Sequence, residues 1–235
     1  MTQSEKLPIE PAPTRSPDPV LIPLAFLAGA LIELGVGSVL GNDPAPAWLL
    51  GRRLIALPIS VAAYLWLGEQ FGMPTRTSLG LTTANLKRYW WRGLIFGLVL
   101  APFVLGIHQL IREVFPSTKI HPAFELLESG GWPGALCAIA TAVILAPVAE
   151  EILYRGIIML SLTEWIGRAW GLALSSILFG AVHYTVWPAP IPLALLGYLF
   201  AVSFVWTRSL WMPIFAHAGF NGVNMLLWFA MPSSS

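Results

Sequence analysis

The stretch Ala135-Leu-Cys-Ala-Ile-Ala-Thr-Ala-Val-Ile-Leu-Ala-Pro-Val-Ala-Glu150-Glu151-Ile-Leu-Tyr-Arg155 decides the reading of this chain. From Ala135 to Val148 it carries no charge, and then two carboxylates and a guanidinium follow on one presumptive helix. A run of that length and apolarity belongs in a bilayer. An ionised side chain at the centre of a membrane helix costs about 2.5–3.5 kcal/mol even on lenient insertion scales. Such groups persist where they line an ion path, relay protons or do chemistry, so function is sought first at Glu150, Glu151 and Arg155.

The rest of the chain agrees with a membrane setting. Of 235 residues, 56% are hydrophobic and 11% charged, and the mean hydropathy is +0.71. A soluble domain carries about 25% charged residues. The formal net charge of +1 offers nothing to a nucleic acid. The single cysteine, Cys137, leaves no internal disulfide and no cysteine-rich metal site. It reads as a small apolar packing residue.

A membrane-spanning helix needs about 20 mainly apolar residues. Runs of that kind cover 20–40, 48–67, 91–111, 133–160, 168–184, 191–207 and 210–229. The expected fold is therefore all-α, a polytopic transmembrane bundle of about seven spans, with six to eight possible. Pro147 is expected to kink the fourth run. Short connections between the last four runs predict antiparallel packing of neighbours. Gly167 and Gly171 form a small-xxx-small pair and predict close helix packing there. Domain boundaries follow: a disordered, proline-rich polar lead over 1–19, N-terminal membrane helices and loops over 20–132, a helical core over 133–230, and a short tail over 231–235. The lead lacks the compact basic region of a cleaved signal, so the first run reads as a retained anchor. With the N-terminus in the cytoplasm, eight Lys and Arg side chains fall inside and four (Arg52, Arg53, Arg112 and Lys119) outside. That bias favours the orientation, and a multi-pass protein of the cell (inner) membrane is expected.

Helical spacing organises the polar groups within the apolar runs. Glu151 and Arg155 are i and i+4, share a face and can pair. Glu150 is rotated from Glu151 by about 100°, so one carboxylate can be neutralised while the other points elsewhere. His217 and Asn221 are also i and i+4. Lipid offers such faces no partner, so they turn inward and meet. His183 lies in the run over 168–184, and His108 near the end of the third run reaches toward the interface. Glu33, Tyr154 and Phe179 read first as packing or cavity-wall residues.

A carboxylate, two imidazoles and an amide in a wet intramembrane cavity suit peptide hydrolysis. Glu150 can take a proton from water with His183 sharing it, while His217 and Asn221 donate to the oxyanion. Competing chemistries lack their residues. There is no His-Glu-x-x-His zinc motif and no Gly-x-Ser-x-Gly elbow. Asp18 and Asp43 flank the first run, so no intramembrane aspartyl pair exists, and no lysine lies in a span core.

Three motifs then carry a resemblance: Glu150-Glu151-Ile-Leu-Tyr-Arg155, Phe179-Gly-Ala-Val-His183 and His217-Ala-Gly-Phe-Asn221. In this order and form the sequence resembles the CPBP family, the CAAX proteases and bacteriocin-processing enzymes. The resemblance implies a glutamate-dependent intramembrane endopeptidase. Glu150 and His183 would activate water, His217 and Asn221 would form the oxyanion hole, and Glu151, Arg155 and Phe179 would support them. The water-activating reading needs no cofactor, although the His and Glu set could bind a metal. The expected partners are the lipid bilayer and a membrane-associated or lipidated protein or peptide substrate, with no nucleic acid. Two other functions fit the same residues. One is a non-catalytic immunity or scaffold protein of the same fold that binds a peptide. The other is a proton-coupled transporter using Glu150 and Glu151, for which an internal repeat is expected and none is found.

Overall fold

The computed structural model describes residues 18, 20–41, 46–71, 79–116 and 121–230. The expected polar lead, save Asp18, and the expected tail lie outside the described residues. Among those described there is no strand, and the helices are α1 (Leu21–Leu40), α2 (Pro46–Gln70), α3 (Thr83–Val114), α4 (Pro122–Ser129), α5 (Gly131–Ile166), α6 (Arg168–Ala181), α7 (Pro190–Thr207) and α8 (Trp211–Ala230). Each of the seven apolar runs is a helix. By length and apolarity alone, α1, α3, α5 and α7 qualify as membrane spans. The molecule is an all-α polytopic membrane bundle. Large apolar side chains such as Leu34, Val99, Leu110 and Trp206 face outward. In water such a surface would drive aggregation, whereas lipid accepts it at no cost.

Two elements depart from the sequence expectation. The short helix α4 forms between the third and fourth apolar runs, where no helix is expected: Pro122 stands at its first turn and His121 caps its N-terminus. Helix α6 has 14 residues, about 21 Å at 1.5 Å per residue, which is too short to cross a hydrocarbon core about 30 Å thick. It stops before the predicted end: Val182 is its C-cap, and His183 leads into a 3-10 turn over Tyr184–Val186.

Helix α5 runs through the middle of the bundle, and all eight residues Ile152–Met159 are buried. It is not a regular α-helix. Ala140–Leu145 and Ile152–Met159 are π-helical, and they flank the two glutamates. Pro147 comes two residues after the first π-helical stretch ends at Leu145. A proline lacks the N–H that would bond the carbonyl four residues back, and its ring crowds that carbonyl. The widened turn, in which the Ala146 N–H bonds the Thr141 carbonyl, accommodates it. π-helical insertions of this kind concentrate at functional sites.

Neighbouring helices from α5 to α8 pack on one another as their short connections require. The Gly167/Gly171 expectation holds at one position only. Gly171 lies against Thr163 of α5, whereas Gly167 has open space around its Cα and turns the chain between α5 and α6 at φ 86°. The closer approach is elsewhere, between α3 and α8. A Cβ at Gly97 would run into the carbonyl of Ala216, and one at Gly93 into the backbone of Met212 and Ala216. Ala216 precedes His217, so this approach sets where that imidazole sits. Gly97→Val is expected to destabilise the protein by about 1–3 kcal/mol, as overpacking a tight core does. The check is thermal unfolding in detergent, and an unchanged midpoint would show that the two helices separate freely.

Candidate active site

Arg155 is the largest fully buried side chain. Its Nη1 donates to Glu151 Oε1 at 2.8 Å and its Nη2 to the Gly197 carbonyl of α7 at 2.8 Å. The guanidinium carbon lies 4.6 Å from the ring centre of Phe179 and 5.5 Å from that of Phe200. Isolated in the interior this cation would be prohibitive. Here a carboxylate, a carbonyl and two aromatic faces replace its water. The fit at Gly197 is tight: a Cβ there would stand 3.0 Å from the Phe179 ring and 3.2 Å from Arg155 Nη2.

The same Glu151 oxygen takes a second donor. His217 Nδ1 lies 3.0 Å from Glu151 Oε1. A carboxylate accepts only, so the ring carries its proton on Nδ1 and turns Nε2 away from Glu151. That Nε2 is 3.9 Å from Glu150 Oε2. His217 is 4% exposed, wedged between the Phe179 and Phe200 rings at 5.6 and 5.3 Å. One face of α5 thus joins α7 and α8 through a fully buried cluster.

Glu150 is placed differently. Its side chain is 27% exposed, against 0% for Glu151. It lines a cavity of about 870 Å³ together with Tyr154, His183 and Asn221. Glu151 is matched by Arg155, so Glu150 is the carboxylate that faces open space.

His183 lies just past the end of α6, not within a helix as the sequence suggested. The early stop leaves the last carbonyls of α6 in need of donors. His183 Nδ1 lies 2.9 Å from the Phe179 carbonyl and caps it. A carbonyl only accepts, so Nδ1 carries the proton and Nε2 keeps its lone pair. The Phe-x-x-x-His spacing is therefore a capping geometry that fixes the tautomer. Phe179 is buried at 1% exposure and touches the Arg155, Tyr154, His183 and His217 side chains.

Asn221 donates from Nδ2 to the Ala142 carbonyl at 2.7 Å, tying α8 to the π-helical turn before the glutamates. One of its two amide hydrogens is so engaged, and the other remains for the cavity. Glu150, His183 and Asn221 share the cavity wall, while His217 sits behind Glu150 and is not part of that wall. Glu33 and His108 also line the cavity, and Arg52 Nη2 lies 3.7 Å from Glu33. Three participants carried no sequence signal: Gly197, Phe200 and the Ala142 carbonyl. Each contributes backbone or an apolar ring, which no motif scan of polar residues detects. Among the described residues, no three His, Cys, Asp or Glu side chains converge as a metal set.

Residues 132–223 match the family described as Rce1-like, type II CAAX prenyl endopeptidase Rce1-like. Over 83 residues the chain is 35% identical to a Bacillus subtilis (strain 168) protein named "Putative membrane peptidase YdiL". The aligned stretch is 35% of this chain and 34% of that protein, so it spans about a third of the relative's length. No solved structure matches the chain significantly. The family match takes in all three motifs, Glu150–Arg155, Phe179–His183 and His217–Asn221, and the two matches support the resemblance to the CPBP family.

Proposed function

We propose that this protein is an intramembrane endopeptidase that hydrolyses a peptide bond of a membrane-associated or lipidated substrate. The observation that carries the reading is the division of labour between adjacent glutamates. Glu151 is locked by Arg155 and His217, and Glu150 is left uncompensated at the cavity wall with His183. Glu150 and His183 Nε2 are both acceptors. A water donating one hydrogen to each turns its lone pairs toward a third party, here a peptide carbonyl carbon. Glu150 takes the proton as the water oxygen bonds to that carbon. The carbonyl oxygen becomes an oxyanion, which accepts from the second Asn221 amide hydrogen; His217, buried behind Glu150, acts as a positioning residue whose Nε2 faces that carboxylate at 3.9 Å. The C–N bond then breaks, and the proton held by Glu150 passes to the leaving amine. Glu151, Arg155 and Phe179 are positioning residues in this scheme.

The family description names prenylated CAAX substrates, and a hydrophobic tail would enter the cavity from lipid. A cell-membrane location with the N-terminus in the cytoplasm fits the lysine and arginine bias. The chemistry requires no metal. The test uses purified protein in liposomes with a fluorescence-quenched farnesylated peptide and mass spectrometry of the products. A single internal cut is expected, with the rate changed less than about twofold by EDTA. Tight binding without a cut would assign the protein to the peptide-binding class, and flux of protons without a cut to the transporter class.

A further inference from the structure

His121 belongs to none of the three motifs, yet its ring lines the same cavity as Glu150, His183 and Asn221. It stands at the N-cap of α4, where the Ala123 N–H donates to its Nδ1 at 3.2 Å. An N–H can only donate, so Nδ1 holds a lone pair, and in the neutral ring the proton sits on Nε2. That is the reverse of His183, whose Nδ1 carries the proton and whose Nε2 accepts. Phe124 meets the His121 ring edge-to-face at 6.2 Å and holds its plane.

The cavity can use such a group beside its other neutral donors, Tyr154, Thr185 and Trp228, whose indole N–H is buried without a partner. A bound peptide brings a carbonyl with every residue. Glu150 and His183 Nε2 are acceptors and cannot match them, and Asn221 has spent one hydrogen on Ala142. Arg53 and Arg112 also line the cavity, but their charge suits an anion more than a neutral carbonyl. His121 is held neutral: burial, then His183, then Arg53 push its pKa down to about 4. A neutral ring fixed by a helix cap donates without adding charge to the site.

Resting on the hydrolytic reading above, we propose that His121 is a substrate-binding residue whose Nε2–H donates to a backbone carbonyl of the peptide in the Glu150–His183 cavity. Its two nitrogens divide the work: Nδ1 caps α4, and Nε2 serves the substrate.

Two variants separate these tasks. Asn is among the best N-cap residues, so His121→Asn keeps the cap and withdraws the cavity donor. His121→Gln weakens the cap but reaches as far, with an amide donor. With the quenched farnesylated peptide, His121→Asn is expected to raise KM about tenfold, the worth of one hydrogen bond in a dry site, with kcat within about twofold and an unchanged melting temperature. His121→Gln is expected to melt lower and to hold KM within about threefold of wild type. Wild-type KM in a folded His121→Asn protein overturns the proposal, as does an equal KM defect in both variants. The same variants placed in a Glu150→Gln background and assayed for peptide binding judge His121 independently of cleavage. Binding that weakens only with Asn sustains the assignment even where the wild type cuts nothing, and in that case it is the hydrolytic reading alone that falls.

Discussion

Glu150→Gln is expected to slow cleavage by about 10²–10⁴-fold, the range over which a general base contributes, while the protein folds and binds peptide as before. Gln has the shape of Glu and keeps its hydrogen-bonding reach, but it cannot take a proton from water. Glu150 faces the cavity and shares no short hydrogen bond with the buried cluster, so its loss removes chemistry and leaves architecture. The measurement is single-turnover cleavage of the quenched peptide beside its equilibrium binding. A variant that still cuts at more than about a tenth of the wild-type rate excludes Glu150 as the base, because such a deficit is smaller than any general base supplies.

The second large effect is on stability. Arg155→Met is expected to cost about 3–5 kcal/mol, the penalty for leaving a buried charge without its partner. Glu151 would then keep its charge at 0% exposure, with His217 its remaining neighbour. Replacing both members of a buried pair by apolar residues is often nearly neutral. The double variant Glu151→Leu, Arg155→Met should therefore recover most of the lost melting temperature. It should not recover cleavage, since His217 Nδ1–H has then lost the acceptor that orients the ring. Thermal unfolding of the single and double variants, read with their rates, separates the two roles. A double variant that regains full activity would show that Glu151 does not position His217.

Much of this was legible in the chain. The seven apolar runs all became helices, because a run of about 20 apolar residues in lipid has few other ways to satisfy its backbone. The i, i+4 pairing of Glu151 with Arg155 was legible for the same local reason: 3.6 residues per turn puts both on one face. The end of α6 was not legible, since apolar residues continue to Tyr184 while the helix ends at Ala181. His121 was not legible, because a lone histidine between apolar runs has no pattern to mark it.

Local rules acting over one or two turns therefore determined, from sequence alone, that this is a helical membrane protein, where its helices run and which polar side chains they carry inward. The crossing of helices decided the rest. The Arg155–Gly197, His217–Glu151 and Asn221–Ala142 hydrogen bonds join residues 42, 66 and 79 positions apart. No periodicity spans such distances. Which glutamate is locked and which is open, and which nitrogen of each histidine carries its proton, depend on the partners that α7, α8 and the end of α6 bring to α5. Those partners meet only once close backbone approaches, such as Gly97 on Ala216, fix the depth and rotation of each helix.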